Sequence, residues 1–356
     1  VAALVTAGFP PARAVAMKPT PPEILPWKNL PALPDAKGFA GSFAGVSAGA
    51  LLVAGGANFP GRPPWEGGVK TWHDRIFVLE QPTASWHPAG HLPRPSAYGL
   101  SFSTTGGVVM VGGGDATRNF ADVSLAQWDG VAVKFTALPA LPAPLALAAG
   151  ALVDRTVYVA GGLDRPDAKE ARRIFLSLDL DQPAAGWRTL DPWPGAERFL
   201  AAGAACDGAF YLFGGARLVP DAHGQPRRDW LRDAWRYAPG AGWTRLADLP
   251  RPVVAAPSPA PVIGGKILLL GGDDGAQIDT PPAQHRGFPR AVLAYDVRAD
   301  RWAETGPVPF SLVTTPAVIW RGLIVIPGGE ARPGIRSPAV WAAEPADAAP
   351  APKASD

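Results

Sequence analysis

Glu330 and Arg336 stand six residues apart in Val325–Arg336, a stretch that reads V-I-P-G-G-E-A-R-P-G-I-R. A carboxylate can take and return a proton, and a guanidinium can hold an anion through two parallel hydrogen bonds. The pair therefore suits acid/base work on an anionic small molecule. Other chemistry finds little support. His73, His87, His91, His223 and His285 lack the spacing of zinc ligands, so no metal site is expected. There is no G-x-S-x-G segment, and Gly112-Gly113-Gly114-Asp115 has no helix after it to bind phosphate. Cys206 is the single cysteine, which excludes an intrachain disulfide. It lies in an alternating apolar run and reads as a small buried hydrophobe rather than a nucleophile.

The elements that must position the pair are repeats. Apolar strands ending in Gly-Gly recur at Gly55-Gly56, Gly112-Gly113, Gly161-Gly162, Gly214-Gly215, Gly271-Gly272 and Gly328-Gly329. The spacings are 57, 49, 53, 57 and 57 residues, a period that suits four short strands per repeat. After each diglycine come a polar loop and a third strand: residues 75–80, 123–128, 174–180, 234–239, 291–297 and 339–344. A fourth element opens on Trp86, Trp187, Trp243 or Trp302 and runs into a proline turn, with Phe135 taking the tryptophan's place in the second copy.

The sixth copy lacks this fourth element, but the chain begins with one at Trp27–Pro34. An N-terminal strand that completes the C-terminal blade closes the ring and removes exposed sheet edges. The expected fold is all-β, a six-bladed kelch-type β-propeller. Most of the 13 tryptophans then pack blades rather than stack sugars. Loops alternate between the two faces of such a ring. The face that carries the post-diglycine loops gathers Asn58, Arg62, Arg94, Tyr98, Asp115, Arg118, Arg165, Arg198, Arg217, Asp273, Asp274, Glu330 and Arg336. This arginine-rich mouth suits a carboxylate ligand, with Asn58, Arg94, Tyr98 and Arg198 as candidate substrate-binding residues. The bland alternative is that these arginines tie loops together through Asp partners.

Composition agrees with one globular unit: 47% hydrophobic, 18% charged and a net charge of +2, which advertises no nucleic-acid partner. No apolar run approaches the ~18 residues of a membrane span. The propeller is expected over residues 23–345, with a disordered tail at 346–356. Residues 1–22 read as a disordered arm or the remnant of a secretory signal, because Ala14-Val15-Ala16 has the A-x-A pattern. On the latter reading the protein is periplasmic or secreted.

Two stretches, GFAGSFAGVSAGALLVAGGANFPG at 38–61 and SAYGLSFSTTGGVVMVGGGD at 96–115, resemble neighbouring blades of the N-acetylneuraminate epimerase, or sialic acid mutarotase, family. GGEARPGIRSPAVW at 328–341 resembles the family segment that bears a catalytic Glu and Arg, and WEGGVKTWHDRIFVLE at 65–80 is similar to permuted mutarotases. In the usual family order the Glu/Arg segment precedes the GFAG blade; here it lies near the C-terminus. On a closed ring the two remain adjacent, so the chain looks like a cyclic permutation. It departs from the family in a shorter loop at Asp273–Arg290 and in RPVVAAPSPAPV, which lacks the family's polar, His-containing pattern.

The resemblance implies anomer exchange of an acidic sugar without metal or organic cofactor. Glu330 would be the general acid/base, and Arg336 the carboxylate anchor or transition-state stabiliser. Two other readings stay open: a non-catalytic propeller that binds a protein or glycan, with Glu330 and Arg336 as a structural pair, and a mutarotase for a neutral sugar. A copper oxidase fits badly, since it needs a Tyr–Cys crosslink and Cys206 sits in a core strand. A homodimer is left open.

Overall fold

The computed structural model describes residues 25–345. The expectations for the arm, the signal remnant and the tail lie outside these residues. Six four-stranded antiparallel sheets form the blades. The first blade runs Phe43–Ser47, Ala50–Ala54, Arg75–Leu79 and His87–His91 from the inner strand outward. The second starts at Leu100–Thr104, the third at Ala149–Val153, the fourth at Ala202–Cys206 and the fifth at Val262–Ile263. The sixth orders Val318–Trp320, Leu323–Pro327 and Val340–Ala343, then takes Trp27–Leu30 as its outer strand. In that last pairing Trp27 faces Ala343 and Leu30 faces Val340, so the ring closes by strand exchange.

The second strand of each blade is the most apolar because the neighbouring blades cover both of its faces. Ala50–Ala54, Gly107–Val111, Ala209–Phe213 and Leu323–Pro327 are buried at every residue. At roughly 25 cal/mol per Å² of apolar area, these strands are the main store of stabilisation. Inner strands carry small residues for a different reason. Any side chain at Gly150 would press on Leu100 and Phe102, and one at Gly203 would run into the Gly150 backbone, so the blades converge there. Each diglycine turns the chain out of its strand, and both glycines of all six pairs have positive φ.

Around the axis runs a closed circuit of backbone hydrogen bonds. The amide of Gly41 donates to Thr314, Thr314 to Ala255, Ala255 to Leu200, Leu200 to Leu147, Leu147 to Tyr98 and Tyr98 back to Gly41, at 2.7–2.8 Å. All six residues adopt positive φ, from 54° to 67°, and five of them are not glycine. That conformation costs an ordinary residue about 1–2 kcal/mol. Here it turns each N–H toward one neighbouring blade and each C=O toward the other, so that neither is left unmet.

At the rim a second tie joins blades. The indole N–H groups of Trp86, Trp187, Trp243 and Trp302 donate to the carbonyls of Pro31, Pro139, Asp191 and Ala247, each just past the outer strand of the preceding blade. Phe135 keeps the packing role in the second blade but offers no donor. Trp243→Phe removes the donor while keeping an aromatic ring, though a smaller one, against Phe175 and Tyr237. It should lower unfolding stability by about 1 kcal/mol in chemical denaturation, with little change in the denaturant slope.

Candidate functional site

Beyond their diglycines, three blades extend into two-stranded ladders on one face. In the sixth blade Glu330–Arg332 pairs with Ile335–Arg336, and Glu330 lies directly opposite Arg336. In the first blade Ala57–Asn58 pairs with Thr71–Trp72. The ladder in the fourth blade joins Ala216–Pro220 to Pro226–Trp230. Because the ring closes, the ladders of the sixth and first blades are neighbours, and Arg336 Nε donates to the Ala57 carbonyl at 3.3 Å. The site forms where the two meet.

The pair read from sequence is a direct one. Arg336 Nη1 donates to Glu330 Oε1 at 2.6 Å, with side-chain exposures of 5% and 20%. The same Oε1 accepts the Gly334 amide at 2.9 Å. Oε2 has no protein hydrogen-bond partner among the described residues. The backbone of Glu330 is fixed by reciprocal bonds with Val313. Ser311 donates to the Ala331 carbonyl, and Arg332 reaches the Ala283 carbonyl in the short fifth-blade loop. On the other side Gly334 packs against Pro64 and Trp65, and the Arg336 guanidinium lies 5.2 Å from the Phe59 ring centre. One carboxylate oxygen is therefore held in place, and the other has no hydrogen bond to the described residues.

Tyr98 joins this group, as the sequence suggested. Its phenol meets the Arg336 guanidinium; burial pushes its pKa far up, although Arg336 opposes the rise. The Tyr98 ring also lies against Gly41, and any side chain at Gly41 would overlap it. Tyr98 thus belongs both to the backbone circuit and to the site. It also lines the central channel, with Ser42, Ser101, Leu147, Leu200, Ala255 and Thr314.

The other three substrate-binding candidates have different roles. Asn58 is fully buried; its amide donates to the Gly38 carbonyl and to Asp35, and its oxygen meets His73 Nε2 at 2.8 Å. It holds the first-blade ladder in place and presents nothing to a ligand. Arg198 is also fully buried and pairs with Asp233 at 2.5 Å while donating to the Gly214 and Ala196 carbonyls. Burial would raise the Asp233 pKa, but bonds and charge from Arg198 outweigh it and hold the carboxyl below its usual range. Arg94 pairs with Asp122 at 3.3 Å and lies over Phe120, in a crevice between the first and second blades. Loop-tying accounts for both arginines, and for Arg165 and Arg217, which pair with Asp164 and Asp229.

Lys70 is the residue that the sequence reading did not single out. Its ammonium sits 4.4 Å from the Tyr98 ring centre and 4.6 Å from that of Trp72. Burial first, and then the Arg336 charge, lower its pKa from 10.5 to about 8, with Glu330 partly opposing. The available signal was a lysine two residues before a tryptophan, in a loop whose other cation is an arginine. No group of three His, Cys, Asp or Glu side chains is placed to hold a metal ion among the described residues.

A family model described as N-acetylneuraminate epimerase matches residues 11–135 and 138–281, well over half of the chain. Glu330 and Arg336 lie beyond the matched segments. N-acetylneuraminate epimerase of Yersinia enterocolitica is 30% identical over 231 residues, covering 57% of this chain and 56% of the relative. The protein of that name from Vibrio vulnificus is 41% identical over 111 residues, or 27% and 28% of the two chains. The chain spans about half the length of the curated relatives it matches. A solved structure described as that of YjhT superposes with a TM-score of 0.64 over 88% of this chain and 96% of that one, at 15% identity, and shares its propeller fold.

The charges around Lys70 fix the direction in which its titration should move. The side chain of Lys70 should titrate near pH 8 by NMR. Arg336→Met should move the midpoint up, because it removes a positive neighbour, and Glu330→Gln should move it down. Between about pH 8 and 10.5 the unfolded chain holds a proton that the folded chain has lost. Stability relative to Lys70→Met should therefore rise with pH through that window and stay flat below it. The gain is at most about 3–4 kcal/mol at 1.36 kcal/mol per unit, and less after solvent screening.

Proposed function

The chain belongs to the N-acetylneuraminate epimerase family, and from that premise we propose that it is a mutarotase interconverting the α and β anomers of N-acetylneuraminate or a related sialic acid. The observation that carries this reading is Glu330: one oxygen is clamped by Arg336 and the Gly334 amide, and the other is free at the mouth. A proton relay needs that arrangement, because a carboxylate that swings cannot meet two substrate oxygens in a reproducible geometry.

In the proposed reaction Glu330 takes the proton from the anomeric hydroxyl while the bond between anomeric carbon and ring oxygen breaks. The departing electron pair stays on the ring oxygen, to which Glu330 returns the proton. The product is the open-chain keto acid. Rotation about the bond beside the ketone presents its other face, and the reverse sequence closes the ring to the opposite anomer. No atom is gained or lost. Arg336 orients Glu330 and offsets charge that builds between carboxylate and substrate, a role that its bonds to Glu330 and Ala57 support.

The test is anomer exchange of freshly released α-N-acetylneuraminate followed by NMR. The wild type should shorten the equilibration time, and Glu330→Gln should lower the turnover rate about 10²–10⁴-fold, the usual worth of a positioned acid/base group. Equal equilibration with and without enzyme would sink the reading. Acceleration of neutral sugars alone would replace the acidic substrate by a neutral one.

A further inference from the structure

We propose that Lys70, rather than Arg336, takes the carboxylate of the acidic sugar and so sets the preference for charged over neutral substrates. The inference rests on the mutarotase reading and adds a residue and a role to it. Its basis is the distribution of charge and of hydrogen-bond partners at the mouth. Arg336 is largely occupied within the protein: Nη1 donates to Glu330, Nε to the Ala57 carbonyl, and the guanidinium lies against Phe59 and Tyr98, so its charge is already offset by Glu330 although Nη2 keeps donors. Glu330 and Arg336 cancel as a pair. Lys70 is the second cation at the same place, and no carboxylate lies within 4 Å of its ammonium among the described residues.

A half-buried ammonium without a counter-ion is costly to the fold. Here the direct contacts are two aromatic faces, Trp72 and Tyr98, with a weaker pull from the Glu330 charge; among the described residues none of these spends its N–H donors. Those donors are what a carboxylate would use. The aromatic cradle also fixes the long side chain, so that little rotamer freedom remains to be lost when the anion arrives. Position supports the same role. Thr71 and Trp72 are held in the ladder opposite Asn58 and Ala57, one residue beyond Lys70, while Tyr98 links Lys70 to Arg336. In a sialic acid the carboxylate is on the anomeric carbon itself. Anchoring it at Lys70 would bring the anomeric hydroxyl and the ring oxygen toward the free oxygen of Glu330.

A purely structural lysine that braces Trp72 against Tyr98 would show none of this selectivity, so the test compares N-acetylneuraminate with its C1 carboxamide, which keeps the ring and hydroxyls but lacks the charge. Wild type, Lys70→Met and Lys70→Arg are assayed by anomer-exchange NMR, with folding checked by denaturation. Lys70→Met should raise KM for the acid about 10–100-fold, more than it lowers kcat, and should collapse the acid-over-amide ratio toward one. Lys70→Arg should restore part of that ratio. If the wild type is active and Lys70→Met retains its acid-over-amide ratio, the anchor assignment is overturned while the mutarotase reading stands. A fall in kcat with KM unchanged overturns it too, in favour of a proton-transfer role. If the wild type does not accelerate exchange, the mutarotase reading fails. Direct NMR titration with the acid and the amide then decides the anchor separately: a preference for the acid that Lys70→Met abolishes supports it, and equal binding of both ligands overturns it.

Discussion

The circuit of six backbone hydrogen bonds through Gly41, Tyr98, Leu147, Leu200, Ala255 and Thr314 is the constraint on which the rest of the molecule depends. Blades wedge together through apolar faces, and apolar contact alone is non-directional. It fixes neither the angle between blades nor their height along the axis. A closed circuit fixes both, because each residue must donate to one neighbour and accept from the other. Its net worth, about 1 kcal/mol per bond, is offset by a comparable cost for holding five non-glycine residues at positive φ. The circuit therefore contributes geometry more than stability, while the buried second strands supply the stability.

That geometry is what makes a site of two loops from the chain's opposite ends. Trp27–Leu30 completes the sixth blade, which brings the Glu330 ladder beside the Ala57 ladder, nearly three hundred residues away in sequence. The circuit then inserts Tyr98 from the second blade between them. Its backbone is held by Gly41 and Leu147, and its ring needs the absence of a side chain at Gly41. Glycine at this one station of the circuit, where the others carry side chains, makes room for the aromatic wall of the site. A structural repeat has been broken once, and the break coincides with the candidate site.

What could be read from sequence divides along the same line. The blades were legible because the diglycines, third strands and tryptophans repeat, and repetition survives the loss of any single signal, as Phe135 shows. Glu330 and Arg336 stood out for the opposite reason, as residues that the other five loops do not copy, and the structure pairs them. Arg198 and Asn58 misled because a loop position gives the face of the ring but not the direction of the side chain. Arg198 turns inward to Asp233 and Asn58 toward His73, each satisfying a buried polar group. Lys70 was hidden because its importance lies in what it lacks, and a missing counter-ion leaves no mark on a one-dimensional pattern.

The contrast between Arg198 and Lys70 then separates architecture from function by a physical criterion. Both are cations withdrawn from water near a loop end. Arg198 has a carboxylate at 2.5 Å and carbonyls for its remaining donors, so its desolvation is compensated within the fold. Lys70 has aromatic faces but no carboxylate in contact among the described residues, and burial first, then the Arg336 charge, lower its pKa to about 8. A fold that needed only to brace Trp72 against Tyr98 would do so more cheaply with an apolar side chain of the same length. An uncompensated charge is explained when something outside the chain completes it, and beside Glu330 that something carries a negative charge.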